Sequence, residues 1–272
     1  TIVTHISSDL DATTSVWLIQ RFLPGWKDAQ LAFVPAGTTL ESKQPDENPD
    51  IIHVDTGLGK FDHHQIEDRN LCAAKLVLKF LQANGHLREQ DYEALSRIIT
   101  FVVMDDNFAD VYLPDPESDI YDFTLHRLSD GFKVTLKTDE ERVQMTGLLL
   151  DTCLQLIKSK IKAEEEIKKG YTFTSHWGKS LAVETDNDTT VKLAMKKGYA
   201  LVVLHETKSG GYRIKTLPEK KYSLQAVYDQ IIKLDPKATW FLHVSKNMLL
   251  NGSSKRPDVV PSTLPLKTVI EI

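Results

Sequence analysis

The first half of the chain alternates short β-rich runs with stretches of helical spacing, and this alternation limits its possible folds most. The β-rich runs cover residues 1–5, 29–36 and 50–57. The helical patterns cover residues 12–23, 70–84 and 89–104. Strands that alternate with helices favour a parallel sheet with helices on both faces, because each parallel connection needs a crossover. Ligands of such sheets bind beyond the carboxyl ends of the strands.

The second half predicts a different arrangement. Residues 139–169 form one long helical pattern that is suited to linking two domains. Beyond it, strands are predicted at 180–185, 199–206, 211–218 and 239–245, and a helix at 222–234. We therefore predict an α/β protein with an N-terminal catalytic domain over 1–138, a linking helix over 139–169 and a smaller α+β domain over 170–272.

Composition excludes some classes of protein. Hydrophobic residues make up 41% of the chain and charged residues 26%, as in ordinary globular proteins. No run of about 18 apolar residues is present, so we expect no membrane span and a cytoplasmic location. Cys72 and Cys153 stand far apart inside apolar helical patterns. This placement favours reduced core thiols over a disulfide or a zinc site.

Charge is distributed unevenly along the chain. Residues 1–155 hold 13 Lys and Arg against 26 Asp and Glu, whereas residues 156–272 hold 20 against 12. An acidic first half suits the binding of cations, and a basic second half suits an anionic substrate.

Polar residues with the chemistry of metal ligands follow the ends of the predicted elements. Four segments end in such residues: His5, Asp9 and Asp11; Asp55; Asp62, His63 and His64; and Asp105 with Asp106. Asp11 is a plausible N-cap of a helix that starts at Ala12, whereas His5 and Asp9 have no such structural role in the pattern. Four coincident element ends favour one shared site over four separate structural roles.

The segment FDHHQ, residues 61–65, raises a question of geometry. Adjacent residues of a strand point to opposite faces, so two neighbouring histidines serve one point only from a loop. Carboxylates and imidazoles without thiolates suit Mn²⁺, Fe²⁺, Co²⁺ or Mg²⁺, and histidine ligands favour Mn²⁺ over Mg²⁺. The number of ligands exceeds the need of one ion. We expect two Mn²⁺ ions roughly 3.5–4 Å apart that share a bridging carboxylate, with Mg²⁺ or Co²⁺ as alternatives.

At this point the motifs match a known pattern. HISSDLDA, the strand-terminal Asp55 and the tripeptide DHH together resemble the DHH phosphoesterase superfamily, which includes exonucleases, oligoribonucleases and manganese pyrophosphatases. The segments NLCAAKLVLKFL, LHRLSDGF, SGGYRIKTLP and WFLHVSKNMLLNGSSKRP are similar to the melanocyte-proliferating-gene exonuclease branch, once called metal-dependent protein hydrolases. The resemblance touches nearly the whole chain.

The resemblance implies a role for each matching residue. The first ion would be held by His5, Asp9 and Asp55, and the second by Asp11, Asp55, His63 and one aspartate of the segment MDDN. Asp62 would orient a neighbouring histidine, and His64 would face the substrate phosphate, so that Asp62, His63 and His64 form the catalytic set. For the last ligand the superfamily pattern favours Asp105 and the closer branch favours Asp106; Asp105 is our first choice.

The resemblance also implies a phosphate-binding segment in the second half. The residues concerned are Ser245, Gly252, Ser253, Lys255 and Arg256, with Arg213 as a further candidate. Glycine lets backbone amides approach an oxyanion, and the cationic side chains neutralise it.

These observations predict a Mn²⁺-dependent phosphoesterase, a nuclease-like hydrolase of short RNA or small nucleotides that uses metal-activated water. The alternatives are a manganese phosphatase of pyrophosphate or another small phosphate, and a non-catalytic nucleotide-binding module. The crowded carboxylates argue against the last, because they would repel one another without a metal. A short oligonucleotide or nucleotide is the expected partner, and a homo-oligomer remains open.

Overall fold

The computed structural model describes residues 1–252 and 258–272, which form two compact units. The first unit is Thr1–Lys158 and the second is Ser159–Ile272. The predicted long helix is present as α5, Asp139–Lys169. The division between the units falls inside this helix, and not at its two ends as the sequence led us to expect.

The first unit is built on a three-stranded parallel sheet. Its strands are β1, Ile2–His5; β2, Leu31–Val34; and β3, Ile52–His53. The strand order is β2–β1–β3, with Ile2 paired to Leu31 on one side and to Ile52 on the other. The central β1 is fully buried at Ile2 and Val3, as expected for an apolar strand of a parallel sheet.

Helices flank this sheet and complete the first unit. They are α1, Leu10–Phe22; α2, Ala73–Ala83; α3, Glu89–Asp106; α4, Leu125–Thr135; and the first part of α5. The segment between α3 and α4 contains only 3₁₀ turns, at Ala109–Tyr112 and Asp119–Phe123. The sequence patterns predicted α1, α2 and α3 but left α4 out.

The cap of α1 differs from the prediction. The helix begins at Leu10, and its N-cap is Asp9, whose carboxylate accepts a hydrogen bond from the Ala12 amide at 3.0 Å. Asp11 therefore lies in the first turn and leaves its carboxylate for another partner. Asp9, which we expected to have no structural role, has the capping role instead.

The second unit contains one six-stranded mixed sheet. Its strands are β4, Tyr171–Ser175; β5, Gly178–Glu184; β6, Leu201–His205; β7, Tyr212–Thr216; β8, Trp240–Leu242; and β9, Met248–Asn251. The order is β4–β5–β6–β7–β9–β8, and only β5 and β6 pair in parallel. The helices are α6, Thr189–Lys196; α7, Gln225–Leu234; and α8, Leu266–Glu271. The α/β class is confirmed, whereas β4, β9, α6 and α8 were not predicted.

Each face of this sheet packs against its own cluster of apolar side chains. One centres on Leu201, Tyr212 and Leu249, and the other on Leu181 and Val202. Neighbouring strand residues point to opposite faces, so Leu201 and Val202 belong to different clusters.

No helix in the described parts of the chain is long and apolar enough to cross a membrane.

Candidate metal centre

The strand ends of the first unit meet at one edge of the sheet, and the candidate site lies there. β1 and β3 are parallel neighbours, so their carboxyl ends bring His5 and the loop after His53 together. The His5 ring is oriented by its own backbone, because Nδ1 donates to the Ile6 carbonyl at 3.0 Å. Nε2 is thereby turned to Asp55, at 3.3 Å from its Oδ2.

The loop after β3 holds Asp55 in an unusual backbone conformation. Its φ is +54°, in the left-handed region that aspartate tolerates better than most residues. The Asp55 amide donates to the Phe61 carbonyl at 2.9 Å, which closes the loop on itself. Within it, Gly57 has φ +80°, and an added Cβ would lie 2.7 Å from Thr39 Cγ2. The loop therefore has little freedom, and the Asp55 carboxylate stays buried.

The DHH segment answers the question of the two adjacent histidines. Asp62, only 1% exposed, uses Oδ1 to accept the amide of His64 at 3.0 Å and its ring Nδ1 at 2.7 Å. Its Oδ2 accepts the Leu58 amide at 2.8 Å. Asp62 thus holds the ring of His64 and leaves His63 free to turn to the cluster. The rings of His63 and His64 lie 4.5 Å apart.

Asp55 is the centre of the cluster because its two oxygens face two different groups of ligands. Asp55 Oδ2 lies 3.3 Å from His5 Nε2, and Asp9 Oδ2 lies 3.8 Å from the same nitrogen. Oδ1 lies 3.5 Å from His63 Nε2. His64 Nδ1 lies 3.8 Å from the same oxygen and completes this second group. In each of the two groups, three ligand atoms lie within 4.8 Å of one another, as they do in the group of Asp11, His63 and Asp106.

Asp11 is positioned by the N-terminus of α2. Its two oxygens accept the amides of Ala73 at 2.7 Å and Ala74 at 2.8 Å, so a buried carboxylate meets two unpaired helix donors and the positive end of the helix dipole. Oδ2 is also 3.7 Å from His63 Nε2. Asp11 therefore joins the first turns of two helices to the cluster.

Of the two aspartates that end α3, the structure brings Asp106 to the cluster. Asp106 Oδ2 lies 3.7 Å from His63 Nε2, whereas Asp105 is directed to His126. Successive helical residues are about 100° apart around the axis, so only one of the two can face the site. This placement runs against our first choice of Asp105.

The charges of the cluster change the proton affinity of its histidines. Burial would lower the pKa of His5, but its hydrogen bonds with Asp55 and Ile6 and the charges of Asp9 and Asp55 together outweigh burial and raise the pKa to about 9. Asp55 also raises the pKa of His63 to about 9. In return, although burial alone would raise the pKa of Asp55, its contacts with the two histidines hold that pKa below its usual value.

The remaining carboxylates bind protons more readily than usual. Burial raises the pKa of Asp106 to about 6. The pKa values of Asp9 and Asp11 are also raised, by burial and by the charge of Asp55. Crowded carboxylates raise one another's pKa, and a cation among them removes that repulsion.

Two buried polar atoms in the cluster have no hydrogen-bond partner among the described residues. They are Asp55 Oδ1 and His63 Nε2. Buried groups of this kind are rare in proteins and call for a further partner such as an ion. A donor set of carboxylates and imidazoles fits a divalent ion of the Mn²⁺, Fe²⁺ or Co²⁺ type. Cys72 and Cys153 are free and belong to none of the ligand groups of the described residues.

The predicted substrate-binding residues are divided between the two units. His64 belongs to the cluster, with Nδ1 3.8 Å from Asp55 Oδ1 and a side chain that is 59% exposed. In the second unit, Arg213 already forms ion pairs with Asp188 and Glu206, so its charge is compensated. Ser245 lies in the turn between β8 and β9, where its hydroxyl group contacts His243 Nδ1 at 2.9 Å. Gly252 follows β9 with φ +95°. Ser253, Lys255 and Arg256 fall outside the described residues.

Sequence reasoning missed two residues with ligand chemistry near the cluster. Asp110 and His126 form a group with Asp105 whose ligand atoms all lie within 4.8 Å of one another. The motif LHRLSDGF drew attention to the segment of His126 but not to that side chain. No spacing rule connects Asp105 to a histidine on a different helix.

Comparison with known proteins adds little to this geometry. No family model matches the chain, and no curated protein matches it. Six solved chains match. One is a DHH domain described as a member of a family of ribosomal proteins, with 11% sequence identity and a TM-score of 0.32 over 99% of this chain and 84% of that one. A similarity of this size carries no argument about function, so the assignment of the site depends on its residues.

Proposed function

We propose that this chain is a divalent-metal-dependent phosphoesterase that hydrolyses phosphodiester bonds of short RNA or small nucleotides. One observation carries the proposal: the two oxygens of the buried Asp55 face two separate groups of metal ligands, one with His5 and the other with His63 and His64. A carboxylate shared in this way suits a pair of ions. Mn²⁺ is the proposed ion, with Mg²⁺ or Co²⁺ as alternatives.

The proposed ligands divide into two sets around Asp55. His5, Asp9 and Asp55 would hold one ion, and Asp11, Asp55, His63 and Asp106 would hold the other. Bound ions of this kind lower the pKa of a coordinated water and neutralise a phosphoryl group under attack. The protein's own part is to position the ligand atoms: the Ile6 carbonyl turns His5 Nε2 to the cluster, and the amides at the start of α2 hold the carboxylate of Asp11.

His64 is proposed to contact the substrate phosphate. Asp62 accepts from its Nδ1, and this contact fixes the ring while its other nitrogen remains available at the exposed edge of the cluster. A histidine held by a carboxylate is suited to donate a hydrogen bond to a phosphate oxygen. Asp62 thereby acts as a positioning residue for His64.

Exposed aromatic side chains in the connection between α3 and α4 favour a nucleotide substrate over pyrophosphate. Phe108 is 80% exposed, and its amide donates to the Asp105 carbonyl at 3.0 Å, which places it directly after α3. Tyr112 is 87% exposed and Phe123 is 81% exposed, in the segment that follows. Bases stack on such rings with about 1–3 kcal/mol per base, an interaction that pyrophosphate cannot make.

The proposal is tested by a hydrolysis assay with added Mn²⁺ over short RNA, short DNA, cyclic dinucleotides and pyrophosphate. We expect cleavage of a short RNA or a dinucleotide that is lost after chelation and restored by Mn²⁺. Asp55→Asn should abolish this activity and reduce bound Mn²⁺, because it removes the shared charge. Asp28→Asn is the matched control, since Asp28 is exposed and belongs to the same unit.

Three results would contradict the proposal. Full Mn²⁺ occupancy in Asp55→Asn would show that this carboxylate is not shared between ions. Cleavage of pyrophosphate alone would assign the chain to the small-phosphate phosphatases, and binding of nucleotides without cleavage of any substrate would assign it to the binding modules.

A further inference from the structure

A second group of ligands lies beside the proposed catalytic cluster and is not used by it. Asp105 is near the end of α3, Asp110 is in the 3₁₀ turn Ala109–Tyr112, and His126 is in the first turn of α4. Each of the three contributes one ligand atom, and these atoms all lie within 4.8 Å of one another. Acidic groups of this kind are common on protein surfaces, so the argument depends on the histidine.

His126 is buried, and its hydrogen bonds fix which ring nitrogen faces the carboxylates. The side chain is 6% exposed. The Thr124 hydroxyl donates its proton to the Tyr121 carbonyl, so its oxygen can only accept from His126 Nδ1, which lies at 3.0 Å. In the neutral ring Nδ1 then carries the hydrogen, and Nε2 presents a lone pair.

That lone pair is directed at a carboxylate and has no partner of its own. His126 Nε2 lies 3.9 Å from Asp105 Oδ1, too far for a hydrogen bond, and makes no hydrogen bond to any described residue. A lone pair and a carboxylate that face each other repel, and either a proton on Nε2 or a metal ion between the two groups removes this repulsion.

No cationic side chain of the described residues fills this role. The carboxylates of Asp105 and Asp110 form no ion pair with lysine or arginine in the described part of the chain. The nearby cations Arg127 and Lys133 pair instead with Asp130, at 3.6 and 3.0 Å. No lysine or arginine of the described residues therefore balances the two carboxylates, and a proton on His126 would balance at most one of them.

The geometry points to a separate site for a divalent transition-metal ion, held by Asp105, Asp110 and His126. Two carboxylates neutralise the charge of such an ion, and the imidazole favours Mn²⁺, Co²⁺ or Zn²⁺ over Mg²⁺ and Ca²⁺, which prefer oxygen. Three protein ligands leave the remaining positions to water.

The ion would close the long connection between α3 and α4. That connection contains only 3₁₀ turns, and it is longer than most connections in compact domains. An ion bound to both of its ends and to Asp110 would tie the segment to the helices. Because Asp105 is the neighbour of Asp106, the same ion would also hold the end of α3 that serves the catalytic cluster.

The test is equilibrium dialysis against Mn²⁺ followed by elemental analysis of the protein. We expect Asp110→Asn and His126→Gln each to hold one ion fewer per chain than the wild type, or to bind that ion at least tenfold more weakly. Asp119→Asn is the control, because it removes an exposed carboxylate from the same connection and should bind as the wild type does. Asp110 is only partly buried, so we expect Asp110→Asn to fold. This variant therefore still tests the site if His126→Gln is destabilised.

A second arm separates this site from the catalytic cluster. The variant Asp55→Asn should keep the ion that Asp110→Asn loses, and Mn²⁺ should still slow proteolysis of the connection between α3 and α4 in it. In the double variant Asp55→Asn with Asp110→Asn this protection should disappear. The inference is overturned if Asp110→Asn and His126→Gln both bind Mn²⁺ as the wild type does, or if Asp55→Asn binds none. Neither result depends on whether the protein hydrolyses any substrate.

Discussion

Metal binding at the cluster around Asp55 should strengthen steeply with pH, because each proposed site contains one protonated histidine. The pKa values of His5 and His63 are raised to about 9 in the metal-free protein. A histidine must release its proton before it binds a metal ion. Below pH 9 the affinity of each site should therefore rise about tenfold per pH unit, or about a hundredfold from about pH 6.5 to about pH 8.5.

The same protons contribute to the stability of the metal-free fold. Both histidines have a folded pKa above the unfolded value of 6.5, so their contribution is fully present below pH 6.5 and is lost as the pH rises to about 9. The loss is on the order of 3 kcal/mol per histidine at most. Thermal unfolding of the chelated protein should therefore occur at lower temperature as the pH rises through this window, and added Mn²⁺ should remove that trend.

Titration calorimetry with Mn²⁺ in buffers of different ionisation enthalpy measures both the affinity and the number of protons released. We expect about one proton per ion near neutral pH, and the loss of this release at one site in His5→Gln. His176→Gln is the control, because His176 is exposed and lies in the second unit. An affinity for Mn²⁺ that changes less than about threefold between about pH 6.5 and about pH 8.5 would refute the reasoning. Metal binding would then not release protons from the histidines.

Three further changes separate the roles of individual residues. His63→Ala should empty one metal site, whereas His64→Ala should lower kcat with metal content near normal; equal metal loss in both would contradict this division. Phe108→Ala should raise the KM of a dinucleotide about fivefold or more through lost stacking and leave a small phosphate ester unaffected, as parallel kinetics would show. Lys255→Ala with Arg256→Ala should raise the KM of a short oligoribonucleotide and flatten its salt dependence at constant metal content; an unchanged salt slope measured in steady state would place the substrate elsewhere.

The meeting of the ligand groups could be predicted because it follows from topology. Parallel strands present their carboxyl ends at one edge, so His5 after β1 and Asp55 after β3 had to lie near each other once the alternation of strands and helices was recognised. The loop conformation of residues 61–65 could also be predicted, because two adjacent histidines serve one site only from a loop. These features depend on order along the chain and on rules that hold for any parallel sheet.

Elements with weak patterns could not be predicted in the same way. β4, an edge strand with mostly exposed side chains, shows no apolar run, and α4 has only two buried residues, His126 and Ser129. Their conformation depends on neighbours that are distant in sequence, since tertiary packing supplies most of the stability of short helices and edge strands.

The direction of single side chains is what the tertiary structure alone decided. The sequence offered both Asp105 and Asp106 and led us to prefer Asp105, and only the rotation of α3 against its neighbours turns Asp106 to His63 and Asp105 to His126. In the same way, Asp11 meets the amides of α2, which lie about 60 residues away along the chain. The order of amino acids sets which residue types follow the strand and helix ends. The packing of the helices decided which of them share a site, because a turn of about 100° per residue separates neighbours that the sequence sets side by side.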